Sequence, residues 1–400
     1  MKTLALIVMC LGIVRANQLS GTESELRRIL LETYDKNNRP VLQYNKTVTV
    51  SFGLEVISLE EFDQVSEKVK FNFYKKYTWY DDYLRWNRSL FNYEYLPVDP
   101  NLVWKPDLEL YNSANSPDKV NGDGILKVYH TGQMYWIVPV IYDFSCSLNL
   151  KDFPFDTQKC VMNFGSWKLS KNYLNISTHY LDGNSDNAFF QPVAYDKFKH
   201  NEWTIVKMLD INKNLEYLCC PGELWTITEI YIIMDRSYHK YMVVIVMTFF
   251  LTLSSLTVNM FLLERYIRTY LLVFIPLSII WLQLYISSKI PVIEYPTKME
   301  KFIQLSYYTC MCSAIYSGLL YNFAIDYYKY LQKCFVLQKT KELKKDNLDP
   351  LTMVIIQQNA SFQNYFNFHK LGLKLYNLDN MVRTLLILFY IHYTIFIFHI

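Results

Sequence analysis

The chain lacks the side-chain constellations that bond-making chemistry needs. Its seven histidines are scattered without ligand spacing, no nucleophile stands beside a base, and neither a metal-ligand cluster nor a phosphate-cradling loop occurs. No enzyme class is supported and no cofactor or metal is implied. A basic stripe interleaved with aromatics is also missing, and the formal net charge is only +3, which argues against nucleic acid as a partner. No internal repeat or low-complexity tract stands out.

What is present is segregated. Aromatics make up 17% of the 400 residues and charged residues 19%. The first half, to about Met234, alternates polar and apolar residues and holds seven of the eight tryptophans, whereas the region after Tyr238 contains long apolar runs. Met1 to Ala16 has a lone Lys2, an apolar run from Leu4 to Val14 and a small-residue end, the pattern of a secretory signal (residues 1–16). A secretory route gives meaning to the glycosylation triplets at Asn45, Asn87 and Asn175 and makes disulfides permissible. Cys10 leaves with the signal, so Cys146, Cys160, Cys219 and Cys220 form the extracellular set.

Cys146 and Cys160 bound a 13-residue loop that holds Phe153-Pro154-Phe155-Asp156. A bond between them would remove roughly 3 kcal/mol of unfolded-chain entropy. By spacing alone this is an ordinary secreted-domain disulfide. Pro154 presets a turn and cannot join a central strand, so the loop can present an apolar tip beyond its sheet.

Around that tongue the chain reads in order. Thr22 or Ser24 can cap a helix with Leu26, Ile29, Leu30 and Tyr34 at helical spacing, stopped by Asn37-Asn38-Arg39-Pro40. Period-two alternation follows in Val48-Val50-Phe52-Leu54-Val56 and Val69-Phe71-Phe73, then in further short runs punctuated by turn residues, which predicts a β-sandwich. Residues 241–263 carry no charge and are long enough to cross a ~30 Å hydrocarbon layer. Three more spans are expected at 266–286, 305–325 and 381–400, the last with Arg383 snorkelling near one end. The segment 326–380 carries Lys329, Lys333, Lys339, Lys341, Lys344, Lys345, Lys370 and Lys374, which suits a cytoplasmic loop.

A β-rich ectodomain, a 13-residue cysteine loop, three close spans and a fourth after a basic loop together resemble the Cys-loop (pentameric) ligand-gated ion channels. Within them the nicotinic acetylcholine receptor α-like subunits are the nearest match. Leu30-Leu31-Glu32-Thr33-Tyr34-Asp35-Lys36, Trp79-Tyr80-Asp81-Asp82-Tyr83-Leu84-Arg85-Trp86-Asn87, Trp104-Lys105-Pro106-Asp107-Leu108-Glu109-Leu110-Tyr111-Asn112 and Tyr217-Leu218-Cys219-Cys220-Pro221 carry that resemblance. It implies an α+β multi-domain fold: an extracellular immunoglobulin-like β-sandwich with an N-terminal helix (17–237), followed by a four-helix transmembrane bundle. It also implies a plasma-membrane, multi-pass protein with its N-terminus outside, postsynaptic in some relatives, assembled as a homo- or hetero-pentamer.

By the same resemblance, an agonist pocket lies between subunits. Tyr111, Trp167, Tyr217 and Trp225 would form its principal face and Trp79 its complementary face. A quaternary ammonium such as acetylcholine has no donor hydrogens, so aromatic faces hold it, each worth ~0.5–2 kcal/mol. Trp86, Trp104, Trp136 and Trp203 are expected in the core. Trp225 stands where a tyrosine is usual, and Lys168 puts a cation beside a cation pocket. The resemblance further implies a bond between Cys219 and Cys220, although adjacent α-carbons lie ~3.8 Å apart, closer than a disulfide usually spans; two free thiols are the alternative.

Coupling would run from Phe153, Pro154 and Phe155 to the linker Ser287-Ser288-Lys289-Ile290-Pro291, with Arg236 before the first span in a charged pair. Glu264 would open the second span, and Ile267, Leu271, Phe274, Ser278, Leu282 and Tyr285 would face the pore. That lining is almost wholly apolar, and hydrophobic constrictions gate by dewetting. The expected function is therefore a subunit of a cation channel gated by acetylcholine or a related amine. The competing expectation is a non-conducting accessory subunit, or a surface receptor with a trafficking role.

Overall fold

The computed structural model describes residues 21–114, 119–120, 122–178, 200–261, 265–342 and 381–398, without the side chains of 119–120, 259–261, 265–266, 269, 320–329 and 331–342. The signal at 1–16, Glu264 and the lysines from 343 onward lie outside the described residues. The chain forms two compact units divided after Ser237, except that Leu150–Pro154 group with the second.

The first unit begins with helix α1 (Glu23–Leu31). The Thr22 hydroxyl accepts the Glu25 N–H at 3.3 Å, and acidic residues occupy the first turn, both favourable at a helix N-terminus. The helix ends before Tyr34, which serves another purpose. Its hydroxyl donates to Asp81 at 2.6 Å and accepts the Trp104 N–H at 3.2 Å. Asp81 is fully buried, and burial lifts its pKa.

Among the described residues eleven strands follow: β1 (Val48–Asp63), β2 (Lys68–Tyr80), β3 (Tyr95–Val98), β4 (Leu108–Leu110), β5 (Lys119–Val120), β6 (Ile125–Tyr129), β7 (Gln133–Ser145), β8 (Thr157–Ser166), β9 (Leu174–Ser177), β10 (Trp203–Glu216) and β11 (Leu224–Arg236). One sheet runs β3-β6-β7-β2-β1-β9 with β5 also on β7, and the other runs β10-β11-β8-β4. Among the described residues only the β1–β9 pairing is parallel. The alternation read from the sequence places Val48, Val50, Phe52, Leu54 and Val56 inward with Val69, Phe71 and Phe73. Phe52 meets Phe164 of the other sheet at 4.8 Å between ring centroids, and Tyr142 meets the same ring at 5.4 Å. Trp86, Trp104 and Trp203 are buried as expected, while Trp136 is half-buried and stacks on Tyr77. Cys146 and Cys160 are bonded at 2.00 Å and buried.

The second unit contains helices α2 (His239–Phe261), α3 (Arg265–Ser287), α4 (Lys298–Glu342) and α5 (Met381–Phe398). Windows at His239–Val258, Tyr270–Ser287 and Met381–Phe398 are long and apolar enough to cross a membrane. Helix α4 starts seven residues before the expected third span and runs beyond it. The cause is a reciprocal cap: Glu300 accepts the Thr297 N–H at 2.9 Å and Thr297 accepts the Glu300 N–H at 3.0 Å. Small polar side chains fill the bundle interior: Thr248, Thr252 and Ser255 from α2, Ser306, Ser313 and Ser317 from α4. The Ser306 and Tyr390 hydroxyls lie 3.0 Å apart. Apolar packing gains little from a lipid solvent, so helices in it associate through small and hydrogen-bonding residues of this kind.

Candidate ligand-binding site

The ring cluster follows from strand register. Leu110 pairs with Phe164 on β8, which puts Tyr111, one residue past β4, opposite Asn163; its side chain runs back over Gly165 to the Ser166 carbonyl and so reaches Trp167, one residue past β8. Leu215 pairs with Trp225 in the β10–β11 hairpin, so Tyr217 at its tip lies over Trp225. Tyr111 and Trp167 meet edge to face at 5.9 Å, and Tyr217 and Trp225 do so at 5.6 Å. The Tyr217 side chain also faces the Tyr111 hydroxyl, which joins the two pairs. The four rings expected on one face are therefore gathered, and Trp167 is 72% exposed.

Two further residues fix them. Asp107 accepts the Ser166 hydroxyl at 2.8 Å and the Lys168 N–H at 2.9 Å, pinning the backbone on both sides of Trp167. Gly165 lies under the Tyr111 ring, where an added Cβ would sit 2.7 Å from the phenol oxygen and 2.6 Å from Ile227. A side chain there would have to displace the Tyr111 ring or the Ile227 methyl. Tyr111 donates to the Ser166 carbonyl at 2.8 Å. Burial, then the neighbouring Tyr217 and the carboxylates of Asp107 and Glu109, push its pKa up, so the phenol stays neutral.

The hairpin tip is a tight turn in which Cys220 N–H bonds to Tyr217 O and Glu223 N–H to Cys220 O. Gly222 takes a φ of +85° and donates to Glu216 at 2.7 Å. Cys219 and Cys220 are free thiols here, their sulfurs 2.7 Å apart. The expected vicinal bond is not formed; adjacent α-carbons sit closer than an unstrained bridge spans.

Trp79 departs from expectation. It is 0% exposed, with its ring edge-on to Trp104 at 5.9 Å, so it has no face to offer a neighbouring chain. Odd-numbered residues of β2 point into the sandwich and even ones away from it. The outward aromatics on that strand are Tyr74 and Tyr80, 39% and 38% exposed, with Tyr74 opposite Glu55.

At the other end of the sandwich Arg236 is buried. Its guanidinium donates to both carboxylate oxygens of Asp156 at 2.7 and 3.0 Å, to Glu202 at 3.0 Å and to Gln64 at 2.9 Å, and lies 4.3 Å from the Trp203 ring centre. Asp156 also accepts from Gln158. The tongue makes its contacts inside the second unit. Phe153 is buried edge-on to Tyr241 at 4.8 Å, and its carbonyl accepts the Met299 N–H. Leu150 donates to Tyr295, and Asp152 pairs with Lys298 at 2.8 Å. These partners lie at 295–299 and Tyr241, beyond the linker 287–291 that the sequence suggested, because the early start of α4 brings free N–H groups to the tongue's carbonyls. Pro154 follows a cis peptide bond, and Phe155 is exposed.

On α3, Ile267, Leu271, Phe274, Ser278 and Tyr285 are exposed, while Leu282 is half-buried. The most exposed side chains there are Trp281 (77%) and Tyr270 (69%), so the outward stripe is rotated toward them. The helix packs through Arg268, Leu272, Pro276, Ile279 and Ile286, which sets that rotation. Asn45 and Asn87 are exposed; Asn175 is half-buried in β9 and accepts from Thr226 at 3.2 Å.

A disulfide-closed tongue, a two-sheet sandwich, an aromatic cluster at a hairpin tip and apolar helices define a Cys-loop type of receptor. The family model described as neurotransmitter-gated ion-channel ligand binding domain matches residues 23–238, more than half of the chain, and the chain belongs to that family of ligand-gated channels, which are not enzymes. Among curated relatives it is similar to human neuronal acetylcholine receptor subunit alpha-3, with 31% identity over 216 residues covering 54% of this chain and 41% of that protein. It is also similar to human subunit alpha-4 (30% over 233 residues; 57% and 36%) and to acetylcholine receptor subunit alpha-type acr-15 of Caenorhabditis elegans (31% over 251 residues; 60% and 50%). The chain thus spans between about a third and a half of the length of these relatives.

Proposed function

We propose that the chain is the ligand-binding subunit of a pentameric, plasma-membrane cation channel gated by acetylcholine or a related amine. The observation that carries this reading is the union of Tyr111, Trp167, Tyr217 and Trp225 into one partly exposed cluster. Neutral phenols and indoles present negative ring faces, while the nearby Asp107 carboxylate is engaged by the Ser166 hydroxyl and the Lys168 N–H. The complementary face comes from Tyr74 of the neighbouring subunit in place of the buried Trp79. Ligand favours the state in which the hairpin closes on it, and shifts the population only by its differential affinity. Equilibrium binding of a labelled quaternary ammonium to the full chain, alone and with Trp167→Ala, tests the reading; equal binding by both would overturn it.

A second reading concerns conduction. The outward stripe of α3 holds Ile267, Tyr270, Phe274 and Trp281, and the Ser278 hydroxyl in its middle donates to the Phe274 carbonyl at 3.3 Å. Five such stripes would make a dry pore. On this reading the subunit contributes its binding face and relies on partner subunits for a wetted path. Voltage-clamp recording of the subunit alone and with conducting partners separates the two.

A further inference from the structure

The Arg236 cluster rests on backbone that a single imidazole organises. His200 Nδ1 accepts two consecutive backbone N–H bonds, from Glu202 at 3.2 Å and from Trp203 at 3.1 Å. Those two residues supply the carboxylate 3.0 Å from the Arg236 guanidinium and the indole face beneath it at 4.3 Å. The Glu202 carbonyl meanwhile accepts the Ser237 N–H at 2.7 Å, which ties the same turn to the end of β11. One ring nitrogen therefore sets the entry angle of β10 and the position of two of the groups that surround Arg236.

A nitrogen that accepts can do so only while unprotonated, since both nitrogens of an imidazolium are donors. We propose that His200 is a positioning residue whose neutral form holds Glu202 and Trp203 against Arg236, and that protonation releases both, making the cluster sensitive to mild acid. Among the described residues the charged group that reaches the imidazole is Glu202, on the same turn; Arg236 from the end of β11 and Asp156 at the start of β8 complete the cluster. Burial lowers the His200 pKa and outweighs the opposing pull of Glu202. The sign follows: the folded state binds the proton less readily than the unfolded chain, so the contribution is present above the ordinary imidazole range and is lost as pH falls through and below it.

The test needs neither ligand nor current, so its result is independent of the function proposed above. Hydrogen exchange is followed in the peptide containing Glu202 and Trp203, in the full chain in detergent micelles, for wild type and His200→Asn. The Asn Oδ1 stands where Nδ1 does but takes no proton. At pH 7.5 the two should exchange alike; at pH 5.0 wild type should exchange about fivefold faster, the loss of roughly one net hydrogen bond. His200→Ala should exchange fast at both. A wild-type to Asn ratio that is the same at both pH values overturns the proposal, as does His200→Ala matching wild type at pH 7.5. Should the Ala variant fail to fold, the Asn comparison decides alone.

Discussion

Removing Asp156 is the sharpest perturbation the ectodomain offers. The side chains of Arg236 and Asp156 are 0% and 1% exposed, so Asp156→Ala strands a guanidinium that has given up its hydration. Breaking a buried pair by deleting one partner costs about 3–5 kcal/mol. Here the residual Glu202 and Gln64 contacts and the Trp203 ring still compensate the arginine, which puts the expected cost at the lower end, about 3 kcal/mol. In a sandwich of this size that is a fall of about 10 °C in Tm. Glu202 is 23% exposed, so Glu202→Gln should cost about 1 kcal/mol, and Glu23→Ala, which removes the surface pair with Arg27 and one first-turn charge of α1, should cost less than about 1 kcal/mol. Differential scanning fluorimetry on the full chain in detergent reads all three. A Tm for Asp156→Ala within 1–2 °C of wild type, or a larger loss for Glu202→Gln than for Asp156→Ala, would refute the ranking by burial; these thresholds are about the resolution of the method relative to the expected shift.

Three further outcomes are expected. Trp167→Ala should weaken quaternary-ammonium binding by about 10-fold with little change in Tm, whereas Trp79→Ala should leave the ligand contacts alone and lower stability by about 3–5 kcal/mol; titration calorimetry and thermal melts on the same samples distinguish them. Gly165→Ala should drive the Tyr111 ring off β8 and reduce binding without touching any ring, an effect visible as a weakened Kd and a shifted near-ultraviolet circular dichroism band. Cys146→Ser should remove about 3 kcal/mol through the released loop, and alkylation of the unreduced protein with mass analysis should find Cys219 and Cys220 both labelled.

Alternation made β1 and β2 legible because β2 buries one face and leaves most of the other open, and β1 sets apolar side chains at every second position although 50–54 are buried on both faces. The same feature explains the error at Trp79. A motif places a tryptophan on a strand, but only the phase of the strand says which way it points, and Tyr74, five residues earlier, has the opposite phase. The α4 start is written in the sequence as the capping box Thr297-Lys298-Met299-Glu300, which lies ahead of the uncharged run and so outside the span that run marks. The grouping of Tyr111 with Trp167, and of Tyr217 with Trp225, was legible from family resemblance, yet its support was not. Asp107 and Gly165 act through geometry across strands that no local pattern records. The rotation of α3 toward Tyr270 and Trp281 is likewise decided by what packs behind the helix.

Five residues, Leu150–Pro154, sit inside a ring closed by the Cys146–Cys160 bond yet share their packing with helices α2 and α4. A soluble fragment cut after Ser237 would keep the ring and lose what covers Phe153. It would carry a bare benzyl group and two orphaned backbone carbonyls at its tip, and should self-associate unless that residue is replaced by a polar one.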